Sequence, residues 1–187
     1  MALTKTVGVL ALQGDFEAHR KALEHAGANV TEVRTAAHLA AIDGLVIPGG
    51  ESTTMLKMLE YENMFEPLRR FGMEKPVFGT CAGAILIARA VTNPVQASLN
   101  LMDIEVERNA YGRQADSRIV KLPVLGSEVE AVFIRAPIIR KIGPGVKVLA
   151  SYLDLPVFAE DGLHMVATFH PELTQDNPVH KYFVEKL

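Results

Sequence analysis

The 187-residue sequence predicts an α/β fold: a three-layer α/β/α sandwich with a mainly parallel central sheet and some antiparallel strands in the C-terminal half. Two observations carry this. In the first half, short β-branched apolar runs alternate with helical patterns, as βαβ crossovers require. In the second half, strand-like runs follow one another across turn residues with few helices between, so some of them must pair antiparallel.

The elements follow in order. TVGVLAL (residues 6–12) reads as a buried strand, and QGD breaks it. Phe16, Leu23 and the alanines between them form a helical face that runs to Gly27, a C-terminal cap. ANVTEVR is a second strand, and DGLVIPGG a third that ends at Pro48. Ser52 is placed to cap a helix that carries Met55, Leu56, Met58 and Leu59. KPVFG is a fourth strand, and residues 82–90 a helix. LMDIEVERN, SRIVKLPV, EAVFIRAP, VKVLASYL, LPVFAED and HMVATFHP are strand-like, and residues 178–187 form the last helix. No repeat, linker or low-complexity segment divides the chain, so residues 1–187 read as one domain.

Composition excludes several classes of function. Hydrophobic residues make up 49% and charged residues 22%, with a net charge of −3. A nucleic-acid surface needs a basic excess that this chain lacks. No apolar run reaches the roughly 18 residues that span a bilayer. Gln13, Gly14 and Asp15 interrupt any cleavable leader early. The single cysteine, Cys81, cannot form an intramolecular disulfide, which fits a reducing, cytoplasmic setting.

Cys81 stands in Gly79-Thr80-Cys81-Ala82-Gly83, between an apparent strand and an apparent helix. This matches a nucleophile elbow, G-x-S-x-G, with cysteine in place of serine. A tight strand-to-helix turn crowds its flanks, hence the glycines. The turn lifts the side chain to the carboxyl end of the sheet, and the helix start favours the thiolate. The Ala82 N–H points where an oxyanion would develop. The competing reading is a buried, inert thiol at a helix start.

A thiol nucleophile needs a base, and the base needs an orienting group. Of the six histidines, His19, His25, His38 and His180 read most simply as solvated surface residues, and His164 opens a strand. His170 closes the strand HMVATF and is followed by Pro171 and Glu172. In extended chain, residues two apart face the same way, so Glu172 is placed to hold the His170 ring. A strand-end histidine beside a surface glutamate is the alternative. IPGGEST, residues 47–53, follows a strand, and its glycines let backbone N–H groups approach a ligand; a glycine turn before a capped helix is the plainer reading. Arg108 and Arg135 end strands, where guanidinium groups suit a carboxylate or structural carbonyls, or else form surface ion pairs.

GVLALQGDFEAH, PGGESTTM, FGTCAGA, ERNAYGRQ, FIRAP and TFHPELT occur in this order over nearly the whole chain. Together they resemble class I glutamine amidotransferases, and more narrowly the family of glutaminase subunits of pyridoxal 5′-phosphate synthase. The resemblance implies that Cys81 is the nucleophile and that His170 and Glu172 complete a triad. It implies that Gly49, Gly50 and Glu51 contact L-glutamine, that Gly50 and Ala82 supply the oxyanion hole, and that Arg108, Ile134 and Arg135 line the glutamine site. It further implies that ammonia passes to a separate, ring-forming (β/α)₈-barrel synthase subunit, and that this half-reaction takes no metal and no organic cofactor. Tyr111 stands where the family more often has phenylalanine. Another cysteine hydrolase of the same fold, or a non-catalytic glutamine-binding subunit, remains the alternative.

Overall fold

The computed structural model describes residues 4–110, 117–175 and 178–187. Tyr111 and the GRQ stretch therefore lie outside the described residues. The first half comprises β1 (Thr6–Leu10), α1 (Phe16–His25), β2 (Asn29–Val33), a 3₁₀ turn (Ala36–Ala41), β3 (Gly44–Ile47), α2 (Ser52–Tyr61), α3 (Phe65–Glu74), β4 (Val77–Thr80), α4 (Ala82–Ile87) and β5 (Ala88–Thr92). There follow β6 (Met102–Glu107), β7 (Arg118–Val124), β8 (Ser127–Phe133), β9 (Ile138–Ile142), β10 (Lys147–Tyr152), β11 (Leu155–Glu160) and β12 (Met165–Ala167). A 3₁₀ turn at Pro171–Leu173 and α5 (Pro178–Glu185) end the chain.

Seven strands form the main sheet in the order β10-β11-β12-β4-β3-β1-β2. β2, β1, β3, β4 and β12 run parallel, and β11 is the reversed strand between β12 and β10. The fold is thus α/β with a mostly parallel sheet and antiparallel strands from the C-terminal half. Along β3, Leu45 and Ile47 pack to one side and Val46 to the other, all fully buried. One face is covered by α2, α3, α4 and the small β5-β6-β9 sheet, through Met55, Leu59, Leu68 and Ile104. The opposite face is covered by α1, α5 and the β7-β8 hairpin, through Leu23, Phe183 and Phe133. Burial on both faces explains why the parallel strands read as continuous apolar runs.

Several elements depart from the sequence expectation. The helix after Cys81 stops at Ile87, and residues 88–92 leave it to pair with β6. Tertiary pairing there outweighs the helical propensity of two alanines. α3 has no counterpart in the sequence reading; its Pro67 sits in the first turn, where the missing N–H breaks no bond. Glu51, not Ser52, caps α2, its carboxylate accepting from Thr53 and Thr54 N–H at 3.1 and 2.7 Å. Ser52 is instead buried, its hydroxyl donating to Gln96. His19 and His180 are not surface residues: both lie in the interior, with 0% and 2% exposure. Among the described residues, no helix is long and apolar enough to cross a membrane.

Candidate active site

β4 and β12 are neighbours, with Thr80 opposite Ala167. Cys81 follows the first strand and His170 lies three residues beyond the second, so both arrive at the carboxyl edge of the sheet. The Cys81 N–H donates to the Ala167 carbonyl at 2.8 Å, which ties the turn to the strand that delivers the histidine. Cys81 has φ 49° and ψ −105°, a strained conformation for a residue with a Cβ. The chain can turn that sharply because its flanks are glycines. A Cβ on Gly83 would lie 2.1 Å from the Ile47 carbonyl oxygen, and one on Gly79 would lie 2.5 Å from Gly83 backbone atoms. α4 therefore packs directly on the end of β3, and Cys81, 7% exposed, stands at its start.

His170 Nδ1 is 2.7 Å from Glu172 Oε1, which leaves Nε2 for the thiol. The His170 backbone N–H donates to the Val132 carbonyl, so β8 holds this turn as well. Burial alone would lower the His170 pKa, but hydrogen bonds to Cys81 and Glu172 and their charges outweigh it and raise it to about 10. The ring is thus held between the Cys81 sulfur on one side and the Glu172 carboxyl group on the other. Gly49 packs against the pair: a Cβ there would lie 2.6 Å from the His170 ring and 3.3 Å from Cys81 Cβ. Ile134 offers its carbonyl oxygen 3.9 Å from Cys81 Sγ, at the turn where Arg135 has φ 46°.

Gly50, Glu51 and Arg108 form an adjoining cluster. Arg108 Nη2 donates to Thr53 Oγ1 at 2.8 Å and lies 3.7 Å from Glu51 Oε1. Burial is the largest single influence and opposes ionisation of Glu51, but the hydrogen bonds from Thr54 and Thr53 together outweigh it and bring its pKa down to about 2. Gln13, in the QGD break after β1, accepts from the Glu51 N–H at 3.1 Å, and its side chain fills the space where a Gly50 Cβ would stand. Ile134, whose carbonyl meets the thiol, and Arg135 after it are both exposed. The structure thus gathers Cys81, His170, Glu172, Gly49 and Ile134 in direct contact, and sets Gly50, Glu51 and Arg108 beside them.

Sequence reasoning missed the residues behind this cluster. His19 Nε2 lies 3.0 Å from Thr80 Oγ1 and 3.4 Å from Glu172 Oε2, and His19 Nδ1 lies 2.9 Å from His180 Nε2. The signal was helical spacing. His19 shares the face of Leu23 in α1, and His180 shares that of Phe183 in α5.

These rings fix a pH dependence. Burial, with the positive charges of His180 and His170, holds His19 well below the usual histidine range, and burial lowers His180 to about 4. Burial also lowers His164, whose Nδ1 accepts from the Val77 N–H. These neutral rings refuse protons that the unfolded chain accepts. Their stability is complete above the ordinary pKa of about 6.5 and is lost as pH falls below it. His170 acts oppositely: its raised pKa gives stability that is complete below about 6.5 and lost as pH rises toward 10. The melting temperature should therefore peak near neutrality and fall toward both about pH 5 and about pH 9. The alkaline fall should be smaller in His170→Asn. A flat profile by circular dichroism would contradict these assignments.

Chemically, a buried thiol at the start of a helix, next to a histidine held by a carboxylate, can attack an electrophilic carbonyl and return a proton to the leaving group. The fold is that of the class I glutamine amidotransferase-like α/β proteins. The chain belongs to the SNO glutamine amidotransferase family, whose pattern matches residues 9–187. It is 60% identical to a protein of Solibacter usitatus (strain Ellin6076) described as pyridoxal 5′-phosphate synthase subunit PdxT, over 98% of this chain and 100% of that one. A protein of Koribacter versatilis (strain Ellin345) with the same description is 54% identical, over 96% and 94% of the two chains. A crystal structure of a glutamine amidotransferase superposes with a TM-score of 0.90 at 45% identity, covering 96% of this chain and 97% of that one.

Proposed function

We propose that the chain is the glutaminase subunit of pyridoxal 5′-phosphate synthase. It hydrolyses L-glutamine to L-glutamate and ammonia, and supplies the ammonia to a synthase subunit. The observation that carries the reading is the contact of Cys81, His170 and Glu172 at the carboxyl edge of the sheet, in a chain whose full-length relatives bear that subunit's name.

Thiolate Cys81 attacks the side-chain amide carbonyl of glutamine. Backbone N–H groups of Gly50 and Ala82 stabilise the oxyanion. The tetrahedral intermediate collapses as His170 Nε2 gives its proton to the departing nitrogen, which leaves a thioester on Cys81 and free ammonia. His170, now neutral, takes a proton from water as the oxygen attacks the thioester. The second collapse releases glutamate and restores the thiolate–imidazolium pair. Glu172 stabilises the imidazolium at both stages. Gly49, Glu51, Ile134, Arg108 and Arg135 shape the glutamine site, the arginines giving positive charge for its carboxylate. The half-reaction needs no metal and no organic cofactor, and pyridoxal phosphate is a product of the assembly.

The test is ammonia release from glutamine by the purified chain, alone and with its synthase subunit. Release should be weak alone and rise by at least about tenfold with the synthase, because a separate acceptor must use the ammonia. No release in either state would refute the hydrolysis, and release indifferent to the synthase would refute the partnership.

A further inference from the structure

Behind the candidate triad lies a second set of groups that the hydrolysis steps leave unused. The Glu172 side chain is fully buried. Its Oε1 is spent on His170, while Oε2 has no hydrogen-bond partner by ordinary geometry among the described residues. What faces Oε2 is Nε2 of His19, 3.4 Å away and itself completely buried. The same nitrogen lies 3.0 Å from the hydroxyl of Thr80, the residue before Cys81. His19 Nδ1 is 2.9 Å from His180 Nε2, with the two rings tilted and their centres 5.1 Å apart.

The tautomer follows from this arrangement. A carboxylate only accepts hydrogen bonds, and an unmet buried acceptor costs about 1–3 kcal/mol. With the proton on His19 Nε2, the buried oxygen faces a donor. With the proton on Nδ1 it would face a lone pair. His19 Nδ1 is then an acceptor, and His180 Nε2 must be its donor. The chain of bonds therefore runs from α5 to α1, and from α1 to both halves of the site: the elbow through Thr80 and the acid through Glu172.

Resting on the reading of Cys81, His170 and Glu172 as the triad, we propose that His19 is a positioning residue for the hydrolysis. Its Nε2–H, oriented by His180, holds the back oxygen of Glu172 and the Thr80 hydroxyl to one donor, so that carboxylate and nucleophile keep a common register. Neutrality is essential to this role. A charged His19 would compete with the His170 imidazolium for the carboxylate, and its burial disfavours that charge. Asp15, Glu17, Lys21, His25 and Lys181 edge the groove outside Pro171 and Glu172, but among the described residues none of them forms an ion pair with Glu172.

The first measurement needs no variant. In the chain labelled with ¹⁵N-histidine, the His19 ring should be neutral at pH 7 with its proton on Nε2. A proton on Nδ1 overturns the proposal. The second compares His19→Leu with His19→Gln, whose amide N–H reaches to about where Nε2 stands, in the complex with the synthase subunit. His19→Leu should lose roughly tenfold to a hundredfold in kcat with KM for glutamine unchanged. His19→Gln should recover most of it. Unchanged kcat in His19→Leu, a loss that falls on KM instead, or equal damage from both variants overturns the proposal while leaving the triad intact. Normal turnover in Glu172→Gln would instead remove the triad, and the proposal with it.

Discussion

Cys81→Ala should release no ammonia from glutamine above the uncatalysed rate. On the proposed mechanism the variant keeps the oxyanion N–H groups, the His170–Glu172 pair and the glutamine contacts, and loses only the atom that would form the thioester. It should also fold normally, since alanine meets the same backbone strain at φ 49° that cysteine already bears. Because Cys81 is the only cysteine, an electrophilic glutamine analogue should add one equivalent, and mass spectrometry should place it on this residue. Turnover in the variant, or label found elsewhere, would sink the nucleophile assignment.

His170→Asn should cost nearly as much, roughly 10³-fold or more in kcat, as removal of a triad member generally does. On the proposed mechanism two steps fail at once: no imidazolium stands beside the attacking sulfur, and no group protonates the leaving nitrogen. The smaller amide also withdraws from Gly49, against which the ring is packed. Cys81 should alkylate more slowly at neutral pH, because the imidazole beside it is gone. If turnover stayed within about tenfold of the parent, the base would have to be sought elsewhere.

The sheet was legible because β1, β3, β4 and β12 are buried on both faces, and such strands appear as unbroken apolar runs. What escaped has physical causes. Ala88–Thr92 looks like more of α4, and only its pairing with β6, a partner distant in sequence, makes it a strand. β9 is a five-residue segment whose partner, β6, lies more than thirty residues away. Glu51 and Ser52 are both able to cap α2, and the choice turned on the burial of Ser52 against Gln96. At the candidate site, the spacing of His170 and Glu172 was readable because extended chain puts alternate residues on one side. His19 and His180 were misjudged because histidine on a helix is compatible with water. Their spacing to Leu23 and Phe183 pointed inward, but nothing local disclosed that the two rings meet across 161 residues.

The strand order also has a bearing on synthesis of the chain. β4, with Cys81 at its tip, is translated long before β12, which slots between β4 and β11 in the finished sheet. Until β12 arrives, the edge of β4 lies open, the Cys81 N–H has no Ala167 carbonyl to bind, and the thiol has no imidazole beside it. A nascent chain released before residue 170 thus carries Cys81 without the histidine proposed as its base. On the proposed mechanism such a fragment should release no ammonia from glutamine. The same interval leaves an unpaired interior strand, the kind of edge that associates with other unfinished chains. β12 is thus the strand that joins β4 to β11 and leads directly into the turn that carries His170.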